Sequence, residues 1–153
     1  MVCDSGPLTH FWQIDQWQAF RTFGAMHVPA QVAREVARHA PLAEMPTYTG
    51  RDVILAEVSE QEIAAVRQAS PGGLALHEAG LATLALARRQ SPDLVLTDDL
   101  ATRQAVEAQG QTPMGSVGDF CVLRVRKSIT SRARHTRGGG CPAVVTGFPL
   151  SWE

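Results

Sequence analysis

Short continuous apolar runs recur along this chain, and between them apolar residues return every three or four positions. The first run, Met1-Val2-Cys3, meets Asp4-Ser5-Gly6-Pro7. It predicts a strand ending in a turn, with Pro7 at a first helical position and Asp4 or Ser5 as the cap. A weakly patterned helix over about 7–20 follows, carried by Leu8, Phe11, Trp12, Ile14 and Trp17. Met26-His27-Val28-Pro29 predicts a brief strand, and about 30–40 a helix with Val32, Ala33, Val36 and Ala37 on one face and Arg34 and Arg38 on the other. Pro41 ends it. Val53-Ile54-Leu55-Ala56 predicts a further strand. Ser59 with Glu62 fits a capping box before a short helix anchored by Ile63 and Val66. Ser70-Pro71-Gly72-Gly73 is a break, after which about 76–89 predicts a strong helix. Leu94-Val95-Leu96-Thr97 predicts a buried strand running into Asp98-Asp99, and a helix over about 100–109 stops at Gly110.

Strands that alternate with helices and short loops up to about residue 126 predict an α/β domain. Its sheet is mainly parallel, with helices on both faces. The 153 residues, 44% of them hydrophobic, are one domain's worth of chain. No apolar run is long enough for a membrane span, and the N-terminus lacks the pattern of a secretory signal, which predicts a cytoplasmic protein. Cys3, Cys121 and Cys141 are odd in number, far apart and form no CxxC pair. They argue against a disulfide scaffold or a structural zinc site.

Charge changes the picture more than composition does. The formal net charge is -1, too balanced for nucleic-acid binding through bulk charge alone. Yet Arg124, Arg126, Lys127, Arg132, Arg134 and Arg137 are six of the 14 basic residues, and no acid lies among them. The rest of the chain holds eight basic residues against 15 acidic ones. An acidic body with a basic C-terminal patch results; as a solvated tail it would need no ligand. The last stretch, about 128–153, has Gly138-Gly139-Gly140, two prolines and no helical period. It reads as a poorly ordered Gly/Arg-rich tail behind a domain over 1–127.

In parallel α/β sheets ligands gather at the carboxyl ends of strands. Two predicted strands end there in acids: Asp4 after the first, Asp98-Asp99 after the strand at 94–97. If those strands are neighbours, the carboxylates converge and repel unless a cation neutralises them. Oxygen ligands select Mg²⁺ or Mn²⁺, which can clamp a phosphodiester and activate water. Singly, Asp4 and Asp99 would each serve as a helix cap.

These residues resemble a known family. Val2-Cys3-Asp4-Ser5-Gly6-Pro7-Leu8 resembles the start of PIN-domain nucleases. Val28-Pro29 followed by Ala30 to Val36 resembles that family's short strand, proline and glutamate-bearing helix. Leu84-Ala85-Leu86-Ala87 and Leu94 to Asp99 resemble its central helix and acid-bearing strand. Ala105, Gly110 and Gly115-Ser116-Val117-Gly118 resemble its closing helix and glycine turn. The similarity is nearest to VapC-like proteins of toxin–antitoxin pairs. It implies a three-layer PIN-like α/β fold and metal-dependent RNA cleavage at a four-acid cluster. By position, Asp4, Glu35 and Asp98 match three of the acids. Asp4, Asp98 and the adjoining Asp99 are the metal-ligand candidates, for Mg²⁺ or Mn²⁺, with Ser5 and Thr97 as hydroxyl neighbours. The implied partners are an RNA substrate, an antitoxin protein and a second copy of the chain in a homodimer. Arg124, Arg126 and Lys127 would track the RNA backbone.

One position departs from the family. The acid expected near the start of the central helix falls on Gly80. Glu78, two residues earlier, points away from the cluster unless the helix starts later than the pattern suggests. His77 shares the face of Gly80 and is an accessory candidate for a metal or phosphate, as is Glu78. Glu35 has Arg34, Arg38 and His39 within pairing reach. An impaired PIN module that binds RNA or protein without cutting is the alternative reading. A receiver-type phosphoryl-transfer domain fits poorly, and no GxxxxGK[ST] phosphate loop exists.

Overall fold

The computed structural model describes residues 1–70, 75–116 and 118. Five short strands form one sheet, all parallel, in the order β3-β2-β1-β4-β5. They are β1 (Val2–Cys3), β2 (Met26–Pro29), β3 (Val53–Ala56), β4 (Val95–Leu96) and β5 (Pro113–Met114). Around them run α1 (Ser5–Gln13), α2 (Ala30–Val36), α3 (Met45–Thr49), α4 (Glu60–Ala69), α5 (Glu78–Gln90) and α6 (Leu100–Ala108). The architecture is the three-layer α/β fold expected from the alternation of strands and helices.

Topology and packing agree. From β1 the chain steps outward to β2 and β3, then returns across the sheet to β4 on the other side of β1 and on to β5. Right-handed crossovers place helices of the two directions on opposite faces. The core divides accordingly. Cys3 and Leu96 pack on one side with Leu8, Phe11, Phe20, Val32 and Val36. Val2 and Val95, pointing the other way along the same strands, pack with Ile63, Val66, Leu81, Leu84 and Val106.

Several elements are shorter than their patterns suggest. The first helix ends at Gln13, not near residue 20, because Asp15 turns into the left-handed region (φ 53°). The chain then folds back, with the Trp17 indole donating to the Leu8 carbonyl, and continues as a 3-10 helix over Trp17–Thr22. Asp4, not Pro7, marks the start of α1: its side chain accepts from the Ser5 N–H. The helix after β2 stops at Val36, whose carbonyl takes the His39 and Ala40 N–H groups in a tight turn. The helix expected from 76 begins at Glu78, because His77 is its extended cap residue. A 3-10 turn over Leu42–Glu44, α3 and β5 carry no legible period. The Ser59–Glu62 capping box is present in full, with Ile63 and Val66 buried as its anchors.

No helix among the described residues is long and apolar enough to cross a membrane. Cys121 and Cys141, Arg124, Arg126 and Lys127, and the tail over 128–153 lie outside the described residues.

Candidate active site

The strand order reverses at β1, so the crevice between the carboxyl ends of β1 and β4 is the topological switch point of the sheet. The register pairs Cys3 with Leu96. Asp4 therefore leaves β1 beside Thr97, and Asp98 follows one residue further on. The two acids flagged at strand ends belong to neighbouring strands.

Asp4 is 4% exposed. Its Oδ1 accepts from the Ser5 N–H at 2.8 Å and the Thr83 hydroxyl at 3.3 Å, and its Oδ2 accepts from the Thr97 hydroxyl at 2.7 Å. All three donors are neutral. Burial pushes the Asp4 carboxyl above its ordinary range, the three hydrogen bonds pull against it, and the charge of Glu35 pushes it further up.

Asp98 is more open, with 23% of its side chain exposed. Its Oδ1 accepts from the Ser116 N–H at 2.7 Å, and its Oδ2 takes the Ser116 hydroxyl and the Nδ1–H of His10 at 2.9 Å. Two glycines make room for it. A Cβ on Gly6 would stand 3.2 Å from the Asp98 Cβ, and one on Gly115 would stand 3.1 Å from its Oδ1. Gly6 and His10 are four residues apart, so one face of α1 supplies both the space and the imidazole.

Asp99 turns the other way. Its Oδ2 caps α6, accepting from the Thr102 N–H and the Thr102 hydroxyl, each at 2.7 Å. Of its two sequence readings, the helix cap describes this oxygen. Thr97 reaches Asp4 through its hydroxyl, whereas Ser5 reaches it through the backbone.

Gly80 faces α6. A Cβ there would lie 2.6 Å from Thr102 Oγ1, so an acidic side chain does not fit without moving a fully buried threonine. Thr83, one turn later on α5, is the residue that reaches Asp4. Because α5 starts late, Glu78 lies in its first turn and lines a cleft of about 420 Å³ with Glu35. The late start brings Glu78 beside Glu35; neither Asp4 nor Asp98 lines that cleft. His77 is exposed and its side chain makes no capping bond. Glu35 is exposed, and no ion pair joins it to Arg34, Arg38 or His39 among the described residues.

The sequence did not single out Gly6, His10, Thr83 or the Ser116 side chain as partners of the acids. The one available signal was the Gly115-Ser116 turn. A further cavity, about 540 Å³ between Ala69, Arg88 and Gln111, is lined by none of these acids.

Among the described residues no three His, Cys, Asp or Glu side chains come close enough together to hold a metal ion between them. The donors at Asp4 and Asp98 still suit a hard cation. They are carboxylate oxygens with further lone pairs free, and the buried one has no cationic partner among the described residues.

No curated protein matches this chain. The family model DUF3368, described as a PIN domain, matches residues 1–136. With that match over most of its length, and with an all-parallel sheet carrying aspartates at its switch point, the chain belongs to this PIN-domain family, whose fold is that of nucleases.

Proposed function

We propose that this chain is a metal-dependent ribonuclease that cuts RNA phosphodiesters at the Asp4–Asp98 crevice, and that it is the toxin of a VapC-like toxin–antitoxin pair acting in the cytoplasm. The observation that carries the nuclease reading is Asp4: a carboxylate buried at the switch point, held among the described residues by neutral donors alone, beside a second aspartate. A buried charge with no partner is unfavourable, and a divalent cation relieves it. Asp4 and Asp98 are the residues that would hold Mg²⁺ or Mn²⁺, with Glu35 as the third carboxylate and Asp99, through its other oxygen, at the margin. One or two carboxylates suffice for Mg²⁺, which keeps several of its waters. When bound, such an ion stabilises charge developing on the phosphate and lowers the pKa of water.

The chain's own groups fix the geometry. Thr97 and Thr83 hold Asp4 from β4 and α5. Ser116 and His10 hold Asp98 from the end of β5 and from α1. Orientation of this kind limits the motion of the reacting groups. The basic segment with Arg124, Arg126 and Lys127 would track the RNA backbone. An antitoxin that presents an arginine to the carboxylates would silence the site, and a homodimer is the assembly this reading expects.

The test is incubation of the protein with a mixed pool of structured and single-stranded RNA in Mg²⁺, Mn²⁺ or EDTA. Asp4→Asn and Asp98→Asn are run alongside. Cleavage that needs metal and disappears in both variants is the expected result. Cleavage that persists in both variants, or folded wild type that never cuts, refutes it. The second reading, a PIN module that binds RNA or protein without cutting, is favoured by the lack of a three-ligand cluster among the described residues. RNA binding with no turnover in any metal would select it.

A further inference from the structure

One face of α2 is left over by the core. Val32 and Val36 are fully buried. Gln31, Arg34 and Glu35, with Arg38 in the turn that follows, recur at helical spacing on the neighbouring face. They line the cleft of about 420 Å³ that also contains Glu78. Arg34 and Arg38 are both exposed. The ion pairs among the described residues are His10–Asp98 and Arg89–Glu62, so neither arginine is paired with the two glutamates beside it.

A residue of the same cleft carries an unmet acceptor next to it, behind the surface. Gln31 is 9% exposed, and its Nε2 donates to the Val58 carbonyl at 2.9 Å. That bond fixes the amide, and its Oε1 is buried with no donor among the described residues. A buried acceptor without a donor is costly, and groups of this kind call for an explanation. Two guanidinium forks want an anion; the orphan oxygen, reached once the Gln31 side chain shifts, wants an N–H or O–H. A ribonucleotide carries both, with a phosphate beside a 2′-hydroxyl and a base edge rich in N–H donors.

We propose that Arg34 and Arg38 form a phosphate subsite that grips the RNA strand at a phosphate neighbouring the one that is cut. Glu35 stands between the two arginines in sequence, and its charge is felt at Asp4. The cleft and the crevice also share α5, whose Glu78 and Ala79 line the cleft and whose Thr83 bonds Asp4. The inference rests on the ribonuclease reading and specifies how that site takes its substrate. It places the grip on α2, separate from the basic C-terminal segment.

Fluorescence anisotropy with a short labelled single-stranded RNA tests it. The full chain is titrated in EDTA, where cleavage does not interfere, over a series of salt concentrations. Each phosphate contact to a single strand contributes about 0.7 to the slope of log K against log salt. Arg34→Gln with Arg38→Gln should flatten the slope by about 1.4, two such contacts. Arg34→Lys with Arg38→Lys should restore most of it. Arg67→Gln with Arg88→Gln, which removes two charges elsewhere, should leave it unchanged. Melting curves establish that each variant is folded.

An unchanged slope in the Arg34/Arg38 glutamine variant overturns the subsite. So does equal flattening in the Arg67/Arg88 variant, which would mean that bulk charge alone matters. Wild type that binds no RNA in EDTA overturns it as well. The nuclease reading fails separately, on metal-dependent cleavage that is absent or indifferent to Asp98→Asn.

Discussion

Replacing Asp4 with asparagine should make this protein more stable at neutral pH while removing its activity. The side chain is 4% exposed and has three donors, the Ser5 N–H, the Thr83 hydroxyl and the Thr97 hydroxyl. Asparagine is as good a helix cap as aspartate, so the bond to Ser5 survives. Its oxygen accepts one threonine hydroxyl, and the other can rotate to accept from the amide NH₂. What the substitution loses is the attraction of a carboxylate to the start of α1, at most about 2 kcal/mol for a buried group. What it gains is relief from burying a charge, the dominant influence on this carboxyl. The balance is a gain of about 1 kcal/mol, within the range common where a functional site is relaxed. For a domain of this size that is a rise of about 2–4 °C in Tm.

The pH dependence gives a second, independent reading. The Asp4 carboxyl is raised in the folded protein above the ordinary value of 3.8. Between those two values the folded state binds more protons than the unfolded state. Wild-type stability therefore falls as pH rises from 3.8 through the folded pKa, and stays low above it. Asp4→Asn lacks this dependence, so its advantage should be full near pH 7 and shrink on acidification toward 3.8. Urea melts of both proteins across that range measure it, in EDTA so that no cation masks the charge. A variant less stable than wild type at pH 7, or an advantage that grows on acidification, refutes the account of Asp4 as an uncompensated buried charge. Adding Mn²⁺ should raise the Tm of wild type and leave the variant unmoved, since only the folded wild type has the carboxylate to bind it.

Gly80→Ala should destabilise the fold by about 1 kcal/mol. The clash with Thr102 Oγ1, worth about 1–3 kcal/mol as overpacking, outweighs the helix-propensity gain of about 1 kcal/mol. Thr102→Ala in the same background should recover the difference, and a Gly80→Ala protein more stable than wild type in urea would contradict the close approach of α5 to α6. Gly115→Ala should push the Asp98 carboxylate by a few tenths of an ångström. Its measure is a smaller Mn²⁺-induced rise in Tm with the metal-free Tm nearly unchanged. Ser59→Ala should lower stability by about 1 kcal/mol at pH 7 by removing the cap of α4. Glu62, held below its ordinary range chiefly by the Ser59 N–H, contributes its share above 4.5 and loses it as pH falls through the folded value. The Ser59→Ala deficit should therefore narrow in acid, as urea melts at two pH values would show.

The strands at 26–29 and 53–56 and the Ser59–Glu62 box were legible because their signals are local: an apolar run, a proline, a cap three residues from its partner. Asp4 and Asp98 were legible as candidates because each follows an apolar strand. Their adjacency was not, since it depends on which strand lies beside β1. His10 and Asp98 are 88 residues apart in sequence, and Thr83 and Asp4 are 79 apart. No periodicity connects such pairs; only the packing of α1 and α5 on the sheet does. Gly80 shows the reverse failure. Alignment to a family pattern made it an absent acid, whereas its surroundings make it a contact point between two helices. β5 was missed because two residues beginning with a proline carry no alternation to read.

The two aspartates at the switch point are not equivalent, and the difference bears on how each serves the site. Asp4 is enclosed by groups that cannot move far: a backbone N–H at a helix start and two fully buried threonines. Asp98 is held by an exposed imidazole and by a serine at the edge of the sheet, in a space kept open by two glycines. A rigid, desolvated carboxylate raises the affinity of a crevice for a cation but cannot follow a substrate. A half-exposed one, steadied by partners that can rearrange, can exchange hydrogen bonds as a phosphate arrives. On that division, Asp98→Asn should retain part of the Mn²⁺-induced rise in Tm that Asp4→Asn loses altogether. The loss of cleavage should be comparable in the two variants: Asp98→Asn holds a cation without the second carboxylate needed to use it, and Asp4→Asn holds no cation at all.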